Sequence, residues 1–288
     1  MKSVSFFRYP GHGAVAELAA QTSGPSGVAT DWGVPLHCNG LVLVFSSSQI
    51  FVSNPATHEL VLLPRGTPVG SDVPEHSVGF GADPSTGKVK VVRCFTRFRD
   101  ATWTIYSIGC EVLSLGDTAW RTVADSPYLL VTSSAPCVNG AIYWIAALPP
   151  PIGHGCVDAR ILRFDLGSEE FADFPCPRHP DGAGRQVFSH VLADDDLQTV
   201  ELWTADDDTA PEAARWSRHC SVVLLEPARN MIVIPFAVDY QGSIFFNVNF
   251  DMNYYFRSSD KCFYMYRGSE WWHYSIQYKE SLVSIKAN

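Results

Sequence analysis

From residue 36 onward, short apolar runs are broken by turn-forming residues at intervals of about eight to twelve positions, the pattern of a sandwich, barrel or propeller. In IFVSNPATHELVLLP (50–64) a strand starts at Ile50, turns through Asn54-Pro55-Ala56-Thr57 and returns as far as Pro64, which has no N–H to give a ladder. SVGFGADPSTGKVKVVRCF (77–95) turns at Asp83-Pro84-Ser85-Thr86-Gly87. QVFSHVLADDDLQTVELWT (186–204) turns at Asp194-Asp195-Asp196, and SVVLLEPARNMIVIPF (221–236) from Pro227 to Asn230. These connections are short, so each pair is expected to be antiparallel. Counting on to the C-terminus gives about twenty strands, too many for a simple sandwich. Residues 1–35 differ: they are rich in Gly, Ala, Ser and Pro, hold one helical patch, AVAELAAQ (14–21), and read as a flexible lead-in to a domain spanning 36–288.

Two passages nearly repeat. LHCNGLVLVF (36–45) and PCVNGAIYWI (136–145) each set Asn-Gly against an apolar strand. In both, a later strand ends in Asn or Asp, turns, and gives way to a short strand ending in Pro. CEVLSLGDTAWRTV (110–123) repeats only the second half, with Leu113, Leu115 and Trp120. From Gly40 to Gly140 is 100 residues, or two units of about 50, a kelch-like blade length. One such sheet cannot cover its own faces, so the chain is expected to form a kelch-like β-propeller of about five to six four-stranded blades. Asn-Gly supplies the positive φ of a tight turn, which is a geometric role rather than a catalytic one.

Composition agrees with an all-β reading: aromatic residues make up 12% of the chain and Met only 4 positions. The formal charge of −9 and the scattered Lys and Arg leave no basic stripe, so no nucleic-acid partner is expected. Arg8 and Pro10 break the apolar patch at the N-terminus, and no run has the length of a membrane span. The expectation is a protein of the cytoplasm or nucleus. The eight cysteines show neither CxxC nor zinc-module spacing, and several lie inside apolar strands, where a free thiol acts as a small hydrophobe.

The ordered set CNGLVLV, VSNPATHELVLLP, VGFGADPSTGKVKVVR, CEVLSLGDTAWRTV, VNGAIYWIA and ILRFDLGSEEFADFP resembles the F-box associated domain of plant F-box proteins, over about residues 36–176. The resemblance implies a propeller that recruits a protein substrate to an SCF-type ubiquitin ligase. In such proteins an N-terminal F-box docks on the Skp-type adaptor of the cullin complex. Residues 1–35 carry neither the Leu-Pro-rich start nor the later Trp-containing helix of an F-box, so adaptor and cullin are expected as partners only if an F-box is supplied.

No GxSxG, HExxH, Walker or Rossmann pattern occurs, and no catalytic residue, cofactor or metal is expected. The acidic clusters 194–196 and 206–208 could serve glycoside hydrolysis, the alternative reading as a propeller enzyme, but hairpin tips leave their charge in water. A propeller scaffold without a ligase connection is a third reading. TRFRDATW (96–103) and NYYFRSSD (253–260) read as loops that combine Arg with aromatics, the residue types of binding hot spots. They nominate Arg97, Phe98, Arg99, Trp103, Tyr254, Tyr255 and Arg257 for partner binding. Glu270-Trp271-Trp272-His273 reads as an inner strand in which Trp fills space between sheets.

Overall fold

The structure is a computed structural model that describes residues 3–8, 17–23, 33–68, 76–100, 106–130, 132, 134–147, 159–174, 189–194, 197–205, 216–224, 233–238, 244–248, 252–257, 262–267 and 279–285. Every regular element among them is a β-strand. Strands β1 (Ser3–Arg8) and β2 (Glu17–Ser23) form an antiparallel pair. The helical patch expected at 14–21 is therefore corrected: from Glu17 onward it is strand, because ladder bonds to β1 override a weak local preference for helix.

Three sheets follow in chain order. The first runs β3 (Leu36–Cys38), β4 (Leu41–Phe45), β5 (Ile50–Asn54), β6 (Glu59–Leu62). The second contains β7 (His76–Ala82), β8 (Val89–Arg99), β9 (Tyr106–Ser114) and β10 (Arg121–Thr122). The third joins β11 (Leu129–Leu130) and β13 (Cys137–Val138) to opposite ends of β14 (Ala141–Ala147), then continues to β15 (Ala159–Asp165) and β16 (Phe171–Phe174). Between them, β12 (Ser134–Ala135) pairs in parallel with β7, so one short segment belongs to two sheets. Further on, β17 (Ser189–Asp194), β18 (Leu197–Ala205) and β19 (Trp216–Leu224) form one sheet. Strands β20 (Val233–Val238), β21 (Ile244–Val248), β22 (Met252–Arg257) and β23 (Cys262–Arg267) form another. The chain divides into two compact units, one of Met1–Val157, Ile161–Ala172 and Tyr278–Asn288, the other of Asp158–Arg160 and Asp173–Gln277.

Three of the four predicted hairpins form, as β5-β6, β7-β8 and β17-β18. The fourth does not. β19 pairs with β18 and β20 with β21, so residues 225–232 connect two sheets. A short Pro-Asn link looks the same in sequence whether it turns a hairpin or passes to a new sheet. The Trp271-Trp272 strand lies outside the described residues.

Turn chemistry fixes the hairpins. Asn39 and Gly40 have φ 49 and 78, Asn139 and Gly140 φ 47 and 77, and both pairs close two-residue connections of the primed type. A second motif recurs three times. Asn54 and Asp165 end their strands and Asp83 directly follows one, and each side-chain oxygen accepts the backbone N–H two residues on, from Ala56, Ser85 and Gly167. Four residues after each stands a left-handed residue, His58, Gly87 or Glu169.

The core comprises two clusters. Leu41, Leu43, Phe45, Val52, Val78, Phe80, Val91 and Leu113 pack the first sheet against the second. Val92, Cys94, Cys110, Ile142, Trp144, Phe164 and Leu166 pack the second against the third. Alternation makes this possible: Val91 and Val92, neighbours on β8, face opposite sides and enter different clusters. Gly79 permits the close approach, since a Cβ there would stand 2.5 Å from Ile142.

Candidate functional site

The longest strand, β8, carries the first group of candidate residues. Its inner part is buried through Thr96; Arg97 and Phe98 then emerge, and Arg99 is half-buried. This corrects the reading of 96–103 as a loop: Thr96 to Arg99 continue the ladder with β9, and ladder bonds hold what looked like an irregular polar run. Register slips between Thr96 and Phe98. Such a bulge re-aims side chains at a sheet margin, and Phe98 stands 56% exposed there.

The same strand carries a cluster of arginines and an aromatic ring. The Arg93 guanidinium lies 4.7 Å from the Phe95 ring centroid and that of Arg97 5.8 Å. Arg97 also pairs with Asp125 through Nη1 and Oδ2 at 2.5 Å. Gly109 on β9 leaves room for it, because a Cβ there would lie 2.5 Å from Arg97 Nε. Arg93 is buried and pairs with Glu111, whose carboxylate also accepts the N–H and hydroxyl of Thr67. Neither Asp125 nor Phe95 was nominated from sequence. The available signal was Gly109, a glycine inside a strand that marks close approach.

Trp103 lies outside the described residues. Tyr254, Tyr255 and Arg257 lie on strand β22, paired to Phe246, Phe245 and, on the other side, Met265, Tyr264 and Cys262. Their reading as a loop is corrected too, since a tract of aromatics suits a strand with ladders on both edges. They belong to the second compact unit and Arg97 to Arg99 to the first.

Buried Asp83 and partly buried Glu169 are held by cations and hydrogen bonds. Asp83 accepts from Ser85 and Thr86 and pairs with Lys90 Nζ at 3.0 Å; these contacts, Ser85 foremost, hold its carboxyl well below the usual range. Glu169 is lowered by Arg121 first and by Lys90 as well. Burial opposes the charge of Lys90, but its bonds to Glu169 and Asp83 prevail and raise its pKa. Among the described residues no three His, Cys, Asp or Glu side chains are grouped to hold a metal. Asp195, Asp196 and Asp206 to Asp208 lie outside those residues.

Comparison with known proteins adds to this geometry. A family model described as the F-box associated beta propeller domain matches residues 25–256. An F-box/LRR-repeat protein of Arabidopsis thaliana is 31% identical over 181 residues, 59% of this chain and 39% of that protein. A putative F-box protein of the same plant is 29% identical over 235 residues, covering 74% and 56%. An F-box/kelch-repeat protein, also from this plant, is 32% identical over 137 residues, covering 47% and 30%. The chain thus spans well under two thirds of these relatives.

Proposed function

Since the chain belongs to the F-box associated β-propeller family, we propose that it is the substrate-recognition part of an SCF-type ubiquitin ligase, binding a protein substrate without chemistry of its own. In this reading an F-box, where one is supplied, brings the Skp-type adaptor and cullin, and the assembly works in the cytoplasm or nucleus. The observation that carries the reading is the exposed Phe98, set at a bulge on the strand that also carries the Arg93-Phe95-Arg97 group. An aromatic held on a strand in a paired sheet can bury area on binding at little cost in ordering. Among the described residues, Asp83 and Glu169 do not make the pair that glycoside hydrolysis needs, one carboxyl kept neutral beside an ionised partner. Asp83 and Glu169 are instead kept ionised.

The test fuses an F-box to the chain, co-expresses the adaptor in plant cells under proteasome block, and quantifies captured ubiquitinated proteins by mass spectrometry. Phe98→Ala and Arg97→Ala should each lose a common set by at least roughly tenfold, as for a hot-spot residue, while the melting temperature stays unchanged. Identical capture by wild type and both variants rules out this surface; failure of the fusion to engage the adaptor rules out the ligase role.

A further inference from the structure

The turns of the first sheet hold the segment Lys279–Ile285 mainly by its backbone. This segment runs without a strand ladder. Asn54 Nδ2 donates to the carbonyls of Ser281 and Val283, two residues apart, and Glu59 Oε2 accepts the N–H of Ile285 at 3.1 Å. Both side chains are steadied from within their own hairpin: the N–H of Ala56 donates to Asn54 Oδ1 at 3.0 Å and the Thr57 hydroxyl to Glu59 Oε2 at 3.1 Å. Gly40, on the β3-β4 turn, lets a second backbone come close, since a Cβ there would stand 2.9 Å from Ser281 N and 3.0 Å from Lys279 O. Among the described residues of the segment, Ile285 is the one buried, within the cluster that holds Leu41, Leu43 and Val52, whereas Leu282 is 87% exposed. Contacts of this kind read direction, spacing and one aliphatic side chain, and leave the remaining positions open. The third sheet shows the contrast. Beside its Gly140 lies Pro84, from the turn of the β7-β8 hairpin, a filling fixed by the fold. The matching slot beside Gly40 is filled by residues that can leave without unpairing any ladder.

We infer that this slot on the first sheet, formed by Gly40, Asn54, Glu59 and the apolar cluster that Ile285 enters, is a docking site for an extended peptide segment of a partner protein, with residues 281–285 as its resident occupant. The partner segment presents two alternate carbonyls to Asn54 and, two positions after the second, an aliphatic side chain whose own N–H meets Glu59. A serine or threonine stands just ahead of that side chain, because Glu59 Oε1 accepts the Ser284 hydroxyl at 2.9 Å. Since Asn54 and Glu59 are already oriented, the incoming segment alone loses freedom on binding. The resident segment holds the slot closed until the partner displaces it, and the partner's apparent affinity is reduced by the fraction of time the slot is filled. The site does not depend on the Phe98 surface, which belongs to the second sheet.

A fluorescein-labelled peptide with the sequence of residues 279–288 is titrated into the full chain and followed by anisotropy. Ile285→Ser in the chain removes the resident anchor and leaves the slot intact, so it should tighten peptide binding by at least roughly tenfold over wild type. The same substitution in the peptide should abolish binding, and Asn54→Ala added to the Ile285→Ser chain should weaken it by roughly tenfold, as for two lost hydrogen bonds. Equal affinity with and without the resident anchor, or binding indifferent to Asn54, overturns the inference. A wild-type dimer that the peptide disperses assigns the slot to a second copy and overturns it too. Should Ile285→Ser unfold the chain, wild type still decides: a peptide with benzoylphenylalanine at the Val283 position, supplied in large excess, should cross-link to the β3-β4 turn or the β5-β6 hairpin, and cross-links elsewhere or none refute the site.

Discussion

At Gly40 the backbone takes φ 78, and a Cβ placed there would stand 2.3 Å from Ser281 Cβ. Gly87 has φ 70 with nothing within 4 Å of the same construction. Gly87→Ala should thus cost only the left-handed backbone term, about 1 kcal/mol, while Gly40→Ala adds a steric conflict and should cost about 3 kcal/mol. Urea unfolding of the two variants measures the difference, and equal losses would mean the tail at Ser281 yields freely. His76 gives a pH signature. Its ring lies 5.6 Å from that of Phe45, its Nδ1 is 3.5 Å from Arg93 Nε, and burial first, then the Arg93 charge, lowers its pKa to about 4. The folded value lies below the ordinary 6.5, so the stability from the neutral ring is complete above pH 6.5 and is lost as the pH falls through about 4. Stability measured at pH 7 and pH 4.5 should differ by about 2 kcal/mol less in His76→Gln than in wild type. The turn residues here were readable from sequence, because Asn-Gly and Asp-x-x-x-Gly are local signals. His76 was not, because its environment comes from strands distant in the chain.

At the level of the strand pair, β8 and β9 are joined by more than their ladder. Arg93 and Glu111 are directly opposite, both buried, and Arg93 Nη1 also donates to Thr67 O at 3.0 Å. Removing one charge strands the other inside the sheet, so Glu111→Ala should lose about 3 to 5 kcal/mol, whereas Arg93→Met with Glu111→Leu should recover most of it. Denaturant midpoints of the single and double variants test this; a double variant no better than Glu111→Ala would refute it. The hairpin β7-β8 was legible because its turn is written in the sequence. The ladder beyond Thr96 was not, since Arg97, Phe98 and Arg99 look polar and irregular and only the register with Ser107 and Tyr106 shows them to be strand. The failed hairpin at 221–236 has the opposite origin: its signal was present, but partner choice is settled by the strands before and after it.

On the scale of the whole molecule, the segment Lys279–Ile285 lies on the first sheet, more than two hundred residues back along the chain. Asn54 Nδ2 donates to Ser281 O at 2.9 Å and Val283 O at 2.8 Å, and the Glu59 carboxylate accepts from Ser284 Oγ and Ile285 N. Ile285 is 4% exposed and joins the core with Leu41 and Val52. Periodicity cannot reveal such a contact, because SLVSI forms no strand and Asn54 reads completely as a turn residue, a role it also fills through Ala56. The segment occupies beside Gly40 the place that Pro84 takes beside Gly140, so a loop from the preceding sheet and a distant tail do the same packing work on equivalent turns. Deleting residues 279–288 exposes the space around Ile285 and leaves the buried Asn54 amide without its carbonyl acceptors. Burial of one such side chain and the orphaned donor together amount to about 3 to 5 kcal/mol. Asn54→Ala in the full chain should show about half that loss, and adding it to the deletion should cost less than it does in the full chain, since only the bond from Ala56 N–H to Asn54 Oδ1 is then left to lose. Calorimetric melts of the four proteins decide between this and an ornamental tail: fully additive losses, or a deletion that leaves the midpoint within a degree of wild type, would show that the first sheet holds without it.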